Sequence, residues 1–476
     1  MPQHALDHSG SNAKRHAICA ALWLGDGSEC GAEKRDVRWE SMRGALMKHE
    51  AVIEFGGTGI AVLAGMLLAG CAGSEGPTQP AVPVFAEVSV GMFHACATTT
   101  SGTAYCWGYD GDGELGDGTW TGPEQCAGAP CSTKAMLMTG GLRFAQVSTG
   151  GGFTCGVTTS QAAYCWGVDS LGELGIGTTT GPQQCPTTPP ASSAHACSTR
   201  PVAVAGDLRF AAISAGSFSA CALTTTGAAY CWGANHYGQL GDGTTTNSAV
   251  PVAVAGRLTF AGVRVGSDHA CGVTTAGAAY CWGDNGLGQL GNGTTANSSV
   301  PVAVAGGLTF ADIGPGDLLT CGVTTSQSAY CWGWNNAGAL GAGTTTGPQQ
   351  CGGWPCSMTP VAVAGGNRFR VVSAGEGNGF ACGVTTTGAA YCWGYDFAGQ
   401  LGIGTDANSA TPAAVKGGHV FTTVRAAGSD GGLGLACGVT SAGALYCWGA
   451  NNDGQLGNGT SGSNSNSYVP LQVWVP

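Results

Sequence analysis

The chain is 476 residues long, with 85 glycines, 9% charged residues and a formal net charge of −11. From Cys71 onward it carries 10 Lys+Arg against 20 Asp+Glu. This sparse, acidic balance excludes a nucleic-acid binder built on a basic stripe.

The first segments read as export machinery. Met42 or Met47 is expected to be the true start, so residues 1–41 are read as a non-native or disordered extension, and Cys19 and Cys30 as absent from the mature chain. Arg43 and Lys48 then precede an apolar stretch, GGTGIAVLAGMLLAG at 56–70, that is short for a membrane span. A basic start, a short apolar region and small residues at its end predict a secretory signal over 42–70. It closes on Leu68-Ala69-Gly70-Cys71, which resembles the bacterial lipobox. The resemblance implies lipidation of Cys71 as the first mature residue, and Ala72 after it implies outer-membrane sorting in a Gram-negative host. A coincidental tetrapeptide is the competing reading. Residues 71–83, rich in Pro and Gly, read as a flexible tether.

From 84 to 476 one unit recurs. The string Tyr-Cys-Trp-Gly ends at Gly108, Gly167, Gly233, Gly283, Gly333, Gly394 and Gly449, each time with a cysteine ten residues before its own and with Leu-Gly and Gly-Thr after it. A fixed period of this kind marks a repeat array. The copy at 251–295 holds apolar runs at 252–255, 260–265, 271–274 and 278–282, separated by Gly, Asn, Asp and Ser. None reaches the length of an amphipathic helix. That excludes a helical solenoid and predicts an all-β array of short strands.

The two cysteines of a copy read as opposed residues of a hairpin. In the third copy the midpoint is Thr226, giving the loop Thr225-Thr226-Gly227 with glycine at the left-handed position. Opposed residues of an antiparallel pair stand about 4.5–5.5 Å apart, within reach of a disulfide. The expected pairs are Cys96–Cys106, Cys155–Cys165, Cys221–Cys231, Cys271–Cys281, Cys321–Cys331, Cys382–Cys392 and Cys437–Cys447. Copies 1, 2 and 5 are longer, and each insert brings its own pair: Cys126–Cys131, Cys185–Cys197 and Cys351–Cys356. Export to an oxidising compartment fits this pairing. Buried free thiols compete with it. Structural zinc does not suit the spacing.

The stretch GSDHACGVTTAGAAYCWGDNGLGQLGNGT at 266–294 resembles the repeat of the regulator of chromosome condensation (RCC1) family, and the resemblance runs over 84–476. It implies a seven-bladed β-propeller with four strands per blade. It also implies that VFAEV at 84–88 and VPLQVWV at 469–475 share one blade and close the ring like a clasp. The nucleotide exchange of nuclear members is not carried by the repeat itself, so no GTPase partner is expected.

Trp107, Trp166, Trp232, Trp282, Trp332, Trp393 and Trp448 share one repeat position and are expected to fill the gaps between blades. No catalytic residue, metal set or cofactor motif stands out. His94 and His269 are the only histidines at a position otherwise held by Phe153, Ser219, Leu319, Phe380 and Leu435, too few for a metal ring. Asp110, Asp112 and Glu114 hint at a calcium loop, but its twelve-residue pattern is not completed and turn chemistry accounts for them. The inserts are the candidate recognition loops, with Trp120 and Trp354 as aromatic anchors. Insertions without a partner are the competing reading. The expected protein is a lipid-anchored envelope or surface scaffold that binds an unknown protein partner and meets the membrane only through its anchor. An envelope hydrolase or lyase with a channel-centred site, and a structural or adhesive module, are the alternatives.

Overall fold

The computed structural model describes residues 83–186, 194–375, 377, 379–429 and 433–476. The expected extension, signal, Cys71 and the tether to residue 82 lie outside the described residues. Seven antiparallel sheets follow one another along the chain, at 85–137, 144–203, 210–253, 260–303, 310–362, 369–414 and 421–472. They are the blades of an all-β propeller, numbered here 1 to 7. Blade 4 shows the plan, with strands Phe260–Val265, His269–Thr274, Ala279–Gly283 and Ser298–Ala303 hydrogen-bonded in chain order.

The hairpin reading holds in every blade. Cys271 lies directly opposite Cys281, and the other repeat pairs are likewise opposed. Each is bonded, with Cα atoms 4.0–4.1 Å apart. The loop glycine sits at positive φ, as at Gly277 (φ 84°). Copies 2 and 5 place Gln161 (φ 68°) and Gln327 (φ 70°) there instead. The inserts differ from plain loops. In blades 1, 2 and 5 each folds into a small hairpin that adds a fifth strand, Glu124–Cys126, Gln183–Pro186 or Gln349–Cys351, clipped by Cys126–Cys131, Cys185–Cys197 or Cys351–Cys356.

The core lies between blades. All seven repeat tryptophans are fully buried. The Leu-Gly of one blade meets the Trp of the next: Leu290 packs with Trp332, and a Cβ on Gly291 (φ 69°) would stand 2.5 Å from the Trp332 Nε1. This explains why the two motifs travel together. The Trp332 indole donates to the Gln289 carbonyl at 2.9 Å, and five other blades repeat that bond with Gln or Glu. Ala339 replaces the Gln before Trp393, whose indole N–H is unpaired. A buried Trp removes about 150–250 Å² from water, roughly 4–6 kcal/mol at most.

Ring closure departs from the expected clasp. The first strand, Phe85–Val90, pairs in blade 1, and the last, Ser467–Gln472, pairs in blade 7. Each end has its own hairpin to complete, so no blade is shared. The seam instead reuses the interface found elsewhere: Trp107 bonds the Gln455 carbonyl at 2.8 Å, and the Gly459 N–H bonds the Thr133 carbonyl at 2.8 Å. One substitution is specific to it. Six outer strands carry Pro201, Pro251, Pro301, Pro360, Pro412 and Pro470 just before the residue paired with the second hairpin cysteine; blade 1 has Ala135. Its free N–H bonds the Trp474 carbonyl at 3.0 Å, and Lys134 Nζ lies 4.7 Å from the Trp474 ring centre. The C-terminal tail thus crosses onto blade 1.

Candidate functional site

Antiparallel pairing sorts the connections onto two faces. The loops joining strands one to two and three to four share one face, here the upper; the hairpin turns and interblade links share the other. Among the described residues the upper loops and their inserts hold fourteen carboxylates, from Asp110 to Asp453, and no Lys or Arg. The interblade links below carry Arg143, Arg209, Arg257, Arg368 and Lys416 against Asp207 alone. Large exposed aromatics gather above as well: Phe218 (45%), Tyr237 (44%), Trp354 (56%) and Phe397 (61%). Phe397 stacks on Tyr395 with ring centres 6.4 Å apart.

A cleft of about 440 Å³ opens on this face. Met92 and Phe93 come from the first upper loop of blade 1, Tyr109, Asp112 and Glu114 from its second, Gly151 and Gly152 from blade 2, Phe218 from blade 3 and Asp453 from blade 7. The Phe93 and Tyr109 rings lie 6.2 Å apart. Burial raises Asp453 to about 6 and holds Glu114 well above the usual carboxylate range, Asp112 and Asp110 adding to the latter.

Asp110, Asp112 and Glu114 do not converge on one point. Asp110 Oδ1 accepts the Leu115 N–H at 3.2 Å, Glu114 Oε2 accepts the Asp112 N–H at 2.9 Å, and Asp112 pairs with His195 Nε2 at 2.7 Å. Glu114 takes the place of Gln239, Gln289 and Gln455, whose side-chain oxygens accept the same N–H two residues back. This is turn chemistry. Among the described residues no three His, Cys, Asp or Glu side chains are arranged to hold a metal.

His94 and His269 are structural. Both are fully buried, and desolvation pushes each down to about 3, so both are neutral. Nε2 of His94 meets Thr154 Oγ1 at 2.7 Å, and Nε2 of His269 meets Thr320 Oγ1 at 2.8 Å, each in the following blade.

The sequence-predicted anchors sit far apart in the repeat. Trp120 is half-buried ahead of the blade 1 insert. Trp354 is in the blade 5 hairpin, edge-on to Trp334 at 6.3 Å. They do not form one site. The second insert instead supports the cleft: His195 holds Asp112, and Cys185 packs on the Asp112 carbonyl. The sequence reading named Asp112 and Glu114 only as turn residues and missed the rest of the cleft, because its lining comes from four blades.

The central channel is lined by the innermost strands. It brings Arg264 and Asp312 to 3.9 Å, beside Glu87 and Arg425, and Arg425 donates to Thr423 and the Val424 carbonyl. Its open volume is about 100 Å³. Small-molecule sites span about 300–1,000 Å³, so a channel-centred catalytic site has little room.

A family model described as the RCC1-like domain matches residues 67–431, and one for the RCC1 repeat matches 442–476. The chain is 33% identical over 158 residues to "RCC1 domain-containing protein RUG3, mitochondrial" of Arabidopsis thaliana, covering 33% of this chain and 32% of that protein. It is 34% identical over 148 residues to the human E3 ubiquitin-protein ligase HERC2, covering 31% of this chain and 3% of that protein. The match thus spans about a third or less of these relatives' lengths. Human WBSCR16 superposes with a TM-score of 0.65 at 20% identity, over 79% of this chain and 94% of that one. Prp20p of Saccharomyces cerevisiae gives 0.59 at 17% identity, over 72% and 80%. With the repeat, the blades and the family model in agreement, the chain belongs to the RCC1-like domain family.

Proposed function

We propose that the propeller is an exported binding scaffold whose upper face recognises a protein partner. The observation that carries this reading is the segregation of charge and aromatic surface: among the described residues the upper loops and their inserts hold fourteen carboxylates and no Lys or Arg, and the exposed Phe218, Tyr237, Trp354 and Phe397 share their face. Charged rims steer encounter, and aromatic anchors supply binding energy. Three disulfides clip the upper inserts, seven staple the blade hairpins, and all ten suit an oxidising compartment. Prp20p, whose fold is shared, has binding properties to Gsp1p and histones; such ring folds lend themselves to protein recognition. Lipid attachment at Cys71, with placement at an envelope or outer membrane, is part of the proposal and rests on Leu68-Ala69-Gly70-Cys71.

Pull-down from envelope extracts tests the face. The triple variant Phe218→Ala, Tyr237→Ala, Phe397→Ala is expected to lose a partner that the parent chain retains, and high salt is expected to release it. Equal recovery by both chains counts against the reading. Cys71→Ser is expected to move the protein from the membrane to the soluble fraction, and an unchanged distribution removes the anchor from the proposal.

A further inference from the structure

We propose that the cleft over blades 1 and 2 is a receptor for a guanidinium or ammonium group, so that the partner docks by inserting an Arg or Lys side chain. This rests on the reading of the upper face as the recognition surface and gives its partner a chemistry.

The walls are Phe93, Tyr109 and Phe218 with the Met92 thioether. Ring faces attract a cation within about 6 Å of their centres. Carboxylates from two blades border the same space: Asp112 and Glu114 of blade 1, and Asp453 of blade 7. Neither kind of residue makes a receptor alone; here both line one cavity.

The carboxylates lack a fixed counter-charge. No upper loop among the described residues holds a Lys or Arg, and Asp112 pairs with His195 at 2.7 Å while sharing a hydrogen bond with the Glu114 side chain. Desolvation opposes ionisation at all three positions. A cation entering the cleft supplies the missing charge and returns the carboxylates to their ionised form.

The site is particular to this junction. At the positions of Asp112 and Glu114 the other blades have Leu171 and Glu173, Tyr237 and Gln239, Leu287 and Gln289, Ala337 and Ala339, Ala398 and Gln400, and Asp453 and Gln455. At these positions, among the described residues, three acids adjoin only where blade 7 meets blade 1. Gly151 and Gly152 line the cleft where the backbone packs closely: a Cβ on Gly151 would stand 2.6 Å from the Ser217 carbonyl oxygen, and one on Gly152 3.1 Å from Val168. At about 440 Å³ the cavity takes one long side chain and its flanking backbone.

Fluorescence anisotropy with the oxidised full chain tests this. The probes are a labelled Gly-Arg-Gly peptide, its lysine counterpart and its citrulline counterpart, which matches arginine in shape without charge. The arginine or lysine probe is expected to bind at least about tenfold more tightly than the citrulline one, and Asp112→Asn with Asp453→Asn to abolish that difference. Phe218→Ala is expected to weaken charged probes and leave the citrulline background unchanged. Thr245→Ala with Thr345→Ala, at exposed upper-loop positions away from the cleft, is expected to bind like the parent. Circular dichroism checks that each variant is folded. Equal binding of charged and neutral probes, or equal weakening by cleft and remote variants, overturns the receptor. If the envelope partner is still captured through the aromatic face, that result leaves the recognition surface standing. Loss of both assays' discrimination removes the face as well.

Discussion

One side-chain atom separates two solutions to the same loop. Asn235, Asn285, Asn335 and Asn451 donate from Nδ2 to oxygens of the Gly-Thr segment that follows; Asn335 reaches the Thr344 and Thr346 carbonyls at 3.1 and 3.0 Å. Asp110, Asp169 and Asp396 occupy the same position and cannot donate when ionised. In blades 1 and 2 the backbone answers. Gly122 (φ 56°) and Gly181 (φ 61°) turn left-handed and aim their N–H groups at the acid, whereas Gly347, beside Asn335, does not adopt positive φ. The compensation is partial, and Oδ2 of all three acids lacks a well-formed hydrogen bond. Desolvation, with Asp117 close by, raises Asp110 to about 8. The fold then holds a proton that the unfolded chain releases, so stability falls as pH rises from about 4 toward 8. Asp110→Asn is expected to be about 1–3 kcal/mol more stable than the parent at pH 8, with no advantage below pH 4, in thermal melts across pH. Gly291→Ala is expected to lose about 2–4 kcal/mol, because its Cβ meets the Trp332 indole and the backbone is left-handed. The His–Thr couples belong to this scale too, and their signal was present in the sequence. Thr154 and Thr320 precede their cysteines where the other copies have alanine, and each follows a histidine-bearing copy. Reading columns singly hides a pairing that runs between neighbours.

The hairpin is the element the cysteines made legible. A ten-residue separation with a central Thr-Thr-Gly fixes which residues oppose, and Cys271 opposite Cys281 is that register. Where glycine is missing, strain is stored: Gln327→Gly is expected to stabilise blade 5 by about 0.5–1 kcal/mol, measured by denaturant titration. Replacing Cys271 and Cys281 together by serine is expected to cost about 2–3 kcal/mol through the freed unfolded chain. The inserts were less legible. Their cysteine pairs marked a clip, but TGPEQC and TGPQQC contain none of the alternating apolar pattern that announces a strand, so the added fifth strands were missed. They pair because the outer strand beside them is already extended and offers an open edge.

At the scale of the ring, the period gave the blade count, but the cut between blades was misread. The chain ends look like two halves of one unit; in space each completes a different sheet. Ala135 carried the missing clue, as the one outer strand without its proline. Ala135→Pro is expected to remove the bond to Trp474 and to open the seam before the rest of the molecule, seen as faster amide exchange confined to blades 1 and 7. The upper cleft could not be read in advance, because Asp112 and Asp453 lie more than three hundred residues apart and only closure brings their blades together. Closure also sets an orientation. Val84 bonds the turn at Thr100, so the chain enters the ring on the underside, where Arg143, Arg209, Arg257, Arg368 and Lys416 lie. Under the lipid attachment proposed at Cys71, anionic headgroups would attract that underside by about 1 kcal/mol for each nearby cation. The ring thus has a basic keel and an acidic deck, a polarity that any charged surface it meets would read.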